Sequence, residues 1–356
     1  MLILLNNSYV KLIIVYLLGV LTVLGFAPFY LFPVPVATLA ALLGYCHNSL
    51  SPIKNAALGF CFGMGLFSAG VTWIYVSLHD FGAMPMPTAV VALIILCAYL
   101  SLFPALGLWL LTKLRLTSPF LWAALAAALW IVLEWLRGTL FTGFPWLLMG
   151  YSQAPFSPLV GFAPIVGVYG ISLIVVFSAA LLFFWIDKGI RQWRFGLPLM
   201  LIWFGGYGLQ AINWVQPQGE PVTVSLLQGN IAQDMKWRED HLENTMQTYA
   251  RLILESDSRL IVTPEISIPL FSNAVPKSYL SHLAEHARNN NGDVLIGLAE
   301  RAAHDDNEYY NTMFSFGSAP EQSYRKHHLV PFGEFIPLKP IFGWVVDVLQ
   351  IPLSDF

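Results

Sequence analysis

Charge is scarce in this chain. Only 11% of its 356 residues are Asp, Glu, Lys or Arg, against about 25% in a water-soluble domain. A membrane protein is therefore the first expectation. The formal net charge is −3, which gives no reason to expect nucleic acid as a partner. Cysteine is scarcer still. Cys46, Cys61 and Cys97 all fall in apolar runs, and none follows residue 97. They read as small buried side chains, neither a disulfide framework nor a metal set. What the chain has instead is hydrophobic residues, at 56%, distributed so unevenly that two regions emerge. Residues 1–215 hold eight Lys/Arg and three Asp/Glu, while residues 216–356 hold ten and eighteen. The first region is solvated by lipid and the second by water, with the boundary at "NWVQPQGEP".

Crossing the hydrocarbon layer takes about 20 apolar residues per helix. The runs that meet or approach this length are 9–27, 33–47, 54–78, 87–112, 119–136, 162–186 and 195–213, which predicts about seven spans. The second is short enough to be tilted or paired with the first. The first run continues into its successors and shows no small-residue cleavage site, so it is not a cleaved signal peptide. Assigning the connections alternately to the two sides puts Lys11, Lys54, Lys113, Arg115, Lys188, Arg191 and Arg194 on one side and only Arg137 on the other. That bias places the N-terminus in the cytoplasm, and an odd number of spans then places residues 216 onward outside.

The outer region has a different texture. "PVTVSLLQGN" (221–230) and "RLIVTPE" (259–265) read as buried strands. Between them Leu242, Met246, Tyr249, Leu252 and Ile253 recur at helical spacing, predicting an amphipathic helix over 239–256. A second helix over 277–290 leads to the strand "VLIGLAE" and then to "YNTMFSFG". Strands alternating with helices indicate an α/β layer fold.

Few residues here can do chemistry. Glu265 closes a strand in "IVTPEISIP", where α/β folds often place catalytic groups, although a lone glutamate there is more often a solvated turn residue. Lys326 stands beside two histidines in "YRKHHLVPFGEFIPL", which by itself is more often a surface cluster than a site. Adjacent residues on a strand face opposite ways, so His327 and His328 make a poor chelating pair and no metal site is expected. In "EWLRG", Glu134 and Arg137 lie three apart near a helix end. They either pair with each other, as membrane helices tolerate, or bind lipid headgroups. "TLFTGFPWLLMGYSQAPF", which contains Trp146 and Tyr151, reads as an interfacial aromatic belt and equally as the wall of a lipid-access cleft; the two readings are compatible.

Taken in order, these motifs resemble those of the apolipoprotein N-acyltransferases. The resemblance runs over nearly the whole length, through "LGFAPF", "EWLRG", "TGFPWLLMGYSQ", "LQGNIAQDMKW", "TPEISIP" and "YRKHHLVPFGEFIPL". The last motif and the "GFPW…GYSQ" segment are specific to that family, whereas the Glu-then-Lys order belongs to the wider nitrilase (carbon–nitrogen hydrolase) superfamily. The resemblance implies a polytopic helical membrane region carrying an outward-facing, nitrilase-like α/β sandwich domain in a bacterial inner membrane. Glu265 then matches the general base of a Glu–Lys–Cys triad, Lys326 the lysine that stabilises the oxyanion, and Glu334 a further acidic residue able to hold that ammonium. Trp237 matches a tryptophan of the substrate region, and Trp146 and Tyr151 join it as substrate-binding residues.

The chemistry implied is acyl transfer from a phospholipid, phosphatidylethanolamine, to the N-terminal amine of a lipid-modified apolipoprotein. It passes through a thioester and needs no cofactor, and the protein is expected to act as a monomer. A carboxylate in a partly dry site can deprotonate a thiol, and an ammonium can stabilise the tetrahedral oxyanion. The family's cysteine lies further along than Phe356. Cys46, Cys61 and Cys97 sit in membrane runs and cannot replace it, so the chain is expected to be truncated at its C-terminal end and inactive on its own. Two other readings stay open: an inactive fragment that at most binds lipid, and a membrane-tethered nitrilase-type amidase.

Overall fold

Proline starts most of the long apolar helices, where its missing N–H would have had no partner anyway. The computed structural model describes residues 8–82, 84–114, 116–233, 235–302 and 309–330. It divides into two units, residues 1–80 with 85–216, and residues 81–84 with 217–356. In the first unit the helices are α1 (Ser8–Thr22), α2 (Pro33–His47), α3 (Pro52–Gly70), the short α4 (Trp73–Val76), α5 (Met86–Lys113), α6 (Pro119–Arg137), α7 (Ala163–Asp187) and α8 (Trp193–Leu209). Proline occupies the first turn of α2, α3, α5, α6 and α7.

Every apolar run expected to span is helical, but length alone supports fewer crossings than seven. Among the described residues Met86–Lys113, Pro119–Arg137 and Pro158–Asp187 are long and apolar enough to cross a membrane. A fourth span results if Pro52–Gly70 and Trp73–Phe81, bent by 54°, are counted as one. The run expected to be continuous over 54–78 thus stops at Gly70, where an added Cβ would stand 2.4 Å from Leu147 Cδ1. Helices α1 and α2 have 15 residues each, about 22 Å at 1.5 Å per residue, short of a hydrocarbon layer of about 30 Å.

Helix α3 lies between α1 and α5, and glycine permits both approaches. An added Cβ on Gly65 would stand 2.0 Å from Tyr16 O of α1, and one on Gly59 would stand 2.4 Å from Pro104 O of α5. Lipid supplies no hydrophobic drive between helices, so such close backbone packing is what holds them. Several polar side chains inside the unit are bonded to it. Thr22 Oγ1 and Thr38 Oγ1 are 2.7 Å apart. Asn55 Nδ2 donates to Cys46 O, Ser49 O and Thr112 Oγ1 at 3.0, 3.0 and 2.7 Å.

The second unit is a five-stranded mixed sheet in the order β1-β2-β3-β4-β5: β1 (Val224–Leu226), β2 (Leu260–Val262), β3 (Asp293–Arg301), β4 (Tyr309–Gly317) and β5 (Gln322–Arg325). The first three strands are parallel and are connected through α9 (Glu239–Leu254) and α10 (Lys277–Asn289). Strands β3, β4 and β5 are antiparallel. One face of β3 sends Val294, Ile296 and Leu298 into a core with Ile253 of α9, Ile261 of β2 and Leu283 and Ala287 of α10. The expected strands over 221–230 and 259–265 pair over only three residues each, which leaves Glu265 in a turn beyond β2. Strand β5 has no counterpart in the sequence reading: its residues are polar and exposed throughout, the pattern of a sheet edge.

Gly65→Val places two methyl groups where the α1 backbone lies. Overpacking of this kind costs about 1–3 kcal/mol. The variant is expected to reach the membrane but to lose protease resistance in the α1–α3 segment, read by limited proteolysis of isolated membranes.

Candidate active site

Glu265 owes its position to hydroxyl groups rather than to a strand. Thr263 and Ser267 are buried, and their Oγ atoms lie 2.8 Å apart. Thr263 Oγ1 donates to Leu295 O at 3.1 Å and accepts from Gly297 N at 3.3 Å, while Ser267 Oγ donates to Gly297 O at 3.3 Å. The turn is thereby pinned at both ends onto β3. Gly297 is required for this approach, since an added Cβ would stand 2.5 Å from Pro264 O and 2.6 Å from Ile266 N. Ile266, buried and next to Glu265, has φ 42°, a left-handed conformation costly for a β-branched residue. The result is a carboxylate carried outward on a rigid base, with its side chain 59% exposed.

Strand β4 brings the lysine to it. Asn311 is buried; its Nδ2 donates to Glu265 Oε1, and its backbone oxygen accepts from Lys326 N at 2.8 Å. Lys326 Nζ lies 3.3 Å from the same Oε1. Among the described residues no hydrogen bond is made to Glu265 Oε2, which leaves that oxygen as an open acceptor. From the other side Lys236 Nζ donates to Glu265 O at 3.2 Å. Desolvation holds the Lys236 ammonium below the usual lysine value, partly offset by the charge of Glu265.

Just before Lys326, Arg325 clasps β5 to the sheet. Its Nε and one terminal nitrogen donate to Glu300 Oε2 and Oε1 of β3 at 3.0 and 2.8 Å, a bidentate geometry. Thr312 of β4 donates to Glu300 Oε2 at 2.9 Å. The hydrogen bonds from Arg325 hold the Glu300 carboxyl below its ordinary value.

The structure therefore brings Glu265 and Lys326 into contact. Trp237 is exposed and follows Lys236, which is tethered to the Glu265 turn. Glu334 lies outside the described residues. His327 and His328 are exposed and follow the end of β5, so the expectation that they alternate along a strand is not met. Trp146 and Tyr151 belong to the first unit and are half exposed. Trp146 packs on Trp73 and Phe144 with ring centroids 5.3 and 5.7 Å apart. Cys46, Cys61 and Cys97 lie on α2, α3 and α5. Asn311, Lys236 and Gly297 were not foreseen. Lys236 stands in the "MKW" motif, whereas a lone Asn or Gly on a strand carries no signal.

The sequence model of the apolipoprotein N-acyltransferase N-terminal domain matches residues 18–181, and that of carbon-nitrogen hydrolase matches residues 223–342. An apolipoprotein N-acyltransferase of Nitrosomonas europaea is 63% identical over 98% of this chain, which spans 70% of that protein. The chain belongs to the apolipoprotein N-acyltransferase family. Other N-acyltransferases of this family are similar at greater distance. That of Methylococcus capsulatus is 41% identical over 95% of the chain and 67% of its own length, and that of Vibrio cholerae 37% identical over 95% and 68%. The family's carbon–nitrogen hydrolase half thus carries the Glu265–Lys326 contact, and its membrane half carries the "GFPW" loop.

The Glu300–Arg325 clasp has a defined acid limit. A carboxyl with a lowered value contributes its stability above the unfolded value, about 4.3 for glutamate, and loses it as the pH falls through the lowered folded value. Amide exchange over residues 322–326, corrected for its intrinsic pH dependence, is expected to stay slow down to about pH 4.3 and to quicken only below. Glu300→Gln is expected to quicken it at neutral pH. Asn311→Ala removes a buried donor from Glu265 Oε1 and is expected to lower acyl transfer about tenfold or more, measured on the full-length protein in membranes.

Proposed function

We propose that Glu265 and Lys326 of this chain are catalytic residues of its family's acyl transfer, which a thiol from outside these 356 residues completes. The observation that carries the proposal is the convergence of Lys326 Nζ and Asn311 Nδ2 on Glu265 Oε1, with no hydrogen bond to Oε2 among the described residues. Oε2 takes the proton of a cysteine thiol, and the thiolate attacks the acyl ester carbonyl of a phospholipid. Lys326, beside the reacting carbon, stabilises the oxyanion as negative charge develops. The lysophospholipid oxygen leaves with the proton from Glu265, and the acyl chain remains as a thioester. The N-terminal amine of a diacylglyceryl-modified apolipoprotein then attacks that thioester, and the thiol is regenerated. Glu334, eight residues past Lys326, holds the lysine ammonium in this scheme, and Trp237, Trp146 and Tyr151 contact the lipid substrates. The thiol is none of Cys46, Cys61 and Cys97, which stand on membrane helices, so the scheme assigns it to a part of the protein outside these 356 residues.

The donor proposed is phosphatidylethanolamine, and no metal or nucleotide is needed at any step. The proposed organisation is a seven-span region over residues 1–215 and an outer nitrilase-like sandwich domain from 216 onward, in a bacterial inner membrane with a cytoplasmic N-terminus. The distribution of Lys and Arg supports it, seven on one side against Arg137 on the other, and both proposed substrates are held in the membrane by acyl chains with their reactive groups at its outer face.

The test is transfer from phosphatidylethanolamine to a diacylglyceryl lipopeptide by the full-length protein in membranes. Removing a general base or an oxyanion group costs about 10²–10⁴-fold, so Glu265→Ala and Lys326→Ala are each expected to abolish measurable transfer while the protein stays inserted. Near-normal transfer by either variant would remove that residue from the mechanism. Release of free fatty acid in place of N-acylated lipopeptide would make the protein a hydrolase.

A further inference from the structure

Glu134 and Arg137 are the two charged side chains of α6, each more than nine-tenths buried. The sequence offered two readings for them, an ion pair with each other or a headgroup site. Among the described residues no ion pair within 4 Å joins them, and both are buried. Each is spent instead on the backbone of the loop that follows α6. One terminal nitrogen of Arg137 donates to Phe144 O at 2.7 Å and to Trp146 O at 2.6 Å. Its guanidinium lies over the Phe67 ring of α3, 5.2 Å from the centroid. The Arg137 carbonyl accepts from Phe144 N at 2.8 Å. Glu134 Oε1 accepts from Met149 N and from Trp130 Nε1, each at 2.9 Å.

The loop needs such holding. Phe141, Thr142, Gly143 and Leu147 all have positive φ, at 54°, 77°, 83° and 56°, and three of these four are not glycine. Backbone in this region persists only where its surroundings over-determine it. The two side chains bracket Leu147, gripping residues 144 and 146 on one side and residue 149 on the other. Residues three apart on a helix face the same way, so one turn of α6 presents a donor and an acceptor to a single loop. Where no water reaches, backbone groups left without a partner are costly, and the charged partners give strong hydrogen bonds.

We propose that Glu134 and Arg137 are positioning residues that hold residues 144–149 in the one backbone conformation that presents Trp146 to the acyl donor. This rests on the reading of Trp146 as a lipid-contacting residue, and the two are separable by experiment. Among the described residues only Oε1 of Glu134 is engaged in a hydrogen bond, and Oε2 has no partner. The clamp therefore needs an acceptor at that place rather than a charge.

The experiment uses the full-length protein in phosphatidylethanolamine vesicles, with Arg137→Lys, Arg137→Met, Glu134→Gln, Glu134→Leu and Trp146→Ala. Amide exchange over residues 143–150 and KM and kcat for the donor lipid are measured together. Arg137→Met and Glu134→Leu are expected to quicken exchange in that segment about tenfold or more, with the amides of α5 and α7 unchanged. Both are expected to raise the donor KM about tenfold with kcat held within about twofold, the mark of lost ground-state binding. Glu134→Gln keeps the acceptor and is expected to be much milder than Glu134→Leu. Arg137→Lys, with one compact ammonium in place of a planar fork, is expected to fall between Arg137→Met and the parent. Should the apolar variants fail to insert, the Glu134→Gln and Arg137→Lys pair decides by the same two readouts. The clamp is overturned if loop exchange stays at the parent rate in both apolar variants, or if Glu134→Gln raises KM as much as Glu134→Leu with the loop still protected. A parental KM in Trp146→Ala, alongside a loosened loop in the apolar variants, would instead overturn the donor-presenting role of Trp146 and leave the clamp standing.

Discussion

The candidate site depends on one local constraint: the turn that follows β2 must lie directly on β3. Two buried hydroxyls, Thr263 and Ser267, bond the turn to Leu295 and Gly297, and the missing side chain of Gly297 gives the turn room. Without that contact Glu265 would end a three-residue strand and its carboxylate would wander with the loop. With it, the carboxylate stands at a fixed height above the sheet. Asn311 on β4 then ties both partners to one residue, reaching Glu265 with its amide and Lys326 with its carbonyl. The ion pair between Glu265 and Lys326 is half open to water and worth little as stabilisation; its geometry comes from the backbone on either side.

The membrane unit answers a different constraint with the same economy. Where lipid is the solvent, polar groups must be satisfied from within, and its buried side chains turn to backbone carbonyls and amides. Asn55 joins the end of α2 and the 48–51 connection to Thr112 of α5. Gln210, exposed past the end of α8, does likewise at the edge of the unit, donating to Ser157 O and Pro158 O. Arg137 and Glu134 do the same for the loop after α6. In each case a side chain fixes a connection rather than a helix, because the helices are already held by close contacts at Gly59 and Gly65.

Much of this was legible in the sequence. Long apolar runs were legible as helices because in lipid a backbone must satisfy its own hydrogen bonds, which a helix does within one segment. The α9 pattern of Met246, Tyr249 and Ile253 was readable because one face meets a sheet and the other meets water. Glu265 and Lys326 were legible through the motifs around them, not through their own chemistry. What stayed hidden was whatever depends on where a chain stops pairing. The run over 259–265 is apolar enough for a longer strand, yet Thr263 and Ser267 divert it, and a hydroxyl that bends a chain looks in sequence like one that does not. Strand β5 was hidden for the opposite reason: "QSYR" has no apolar alternation, and what holds it is the Glu300 carboxylate. The break at Gly70 was equally silent, because a glycine within an apolar helix marks a close contact as often as an end.

The spacing in "EWLRG" shows why charge in a membrane segment is poorly read from sequence alone. Two opposite charges three residues apart invite the conclusion that they neutralise each other. Yet a direct pair would have left Phe144 O, Trp146 O and Met149 N to find other partners in a segment whose φ values already carry strain. Splitting the pair satisfies three backbone groups with two side chains, and the two charges still lie on one helical turn, near enough to offset each other's burial. A buried charge in such a unit is therefore better judged by the irregular backbone beside it than by the nearest opposite charge. By that criterion the loop 141–150, with four positive φ values, called for both residues of α6 before any ligand needed them.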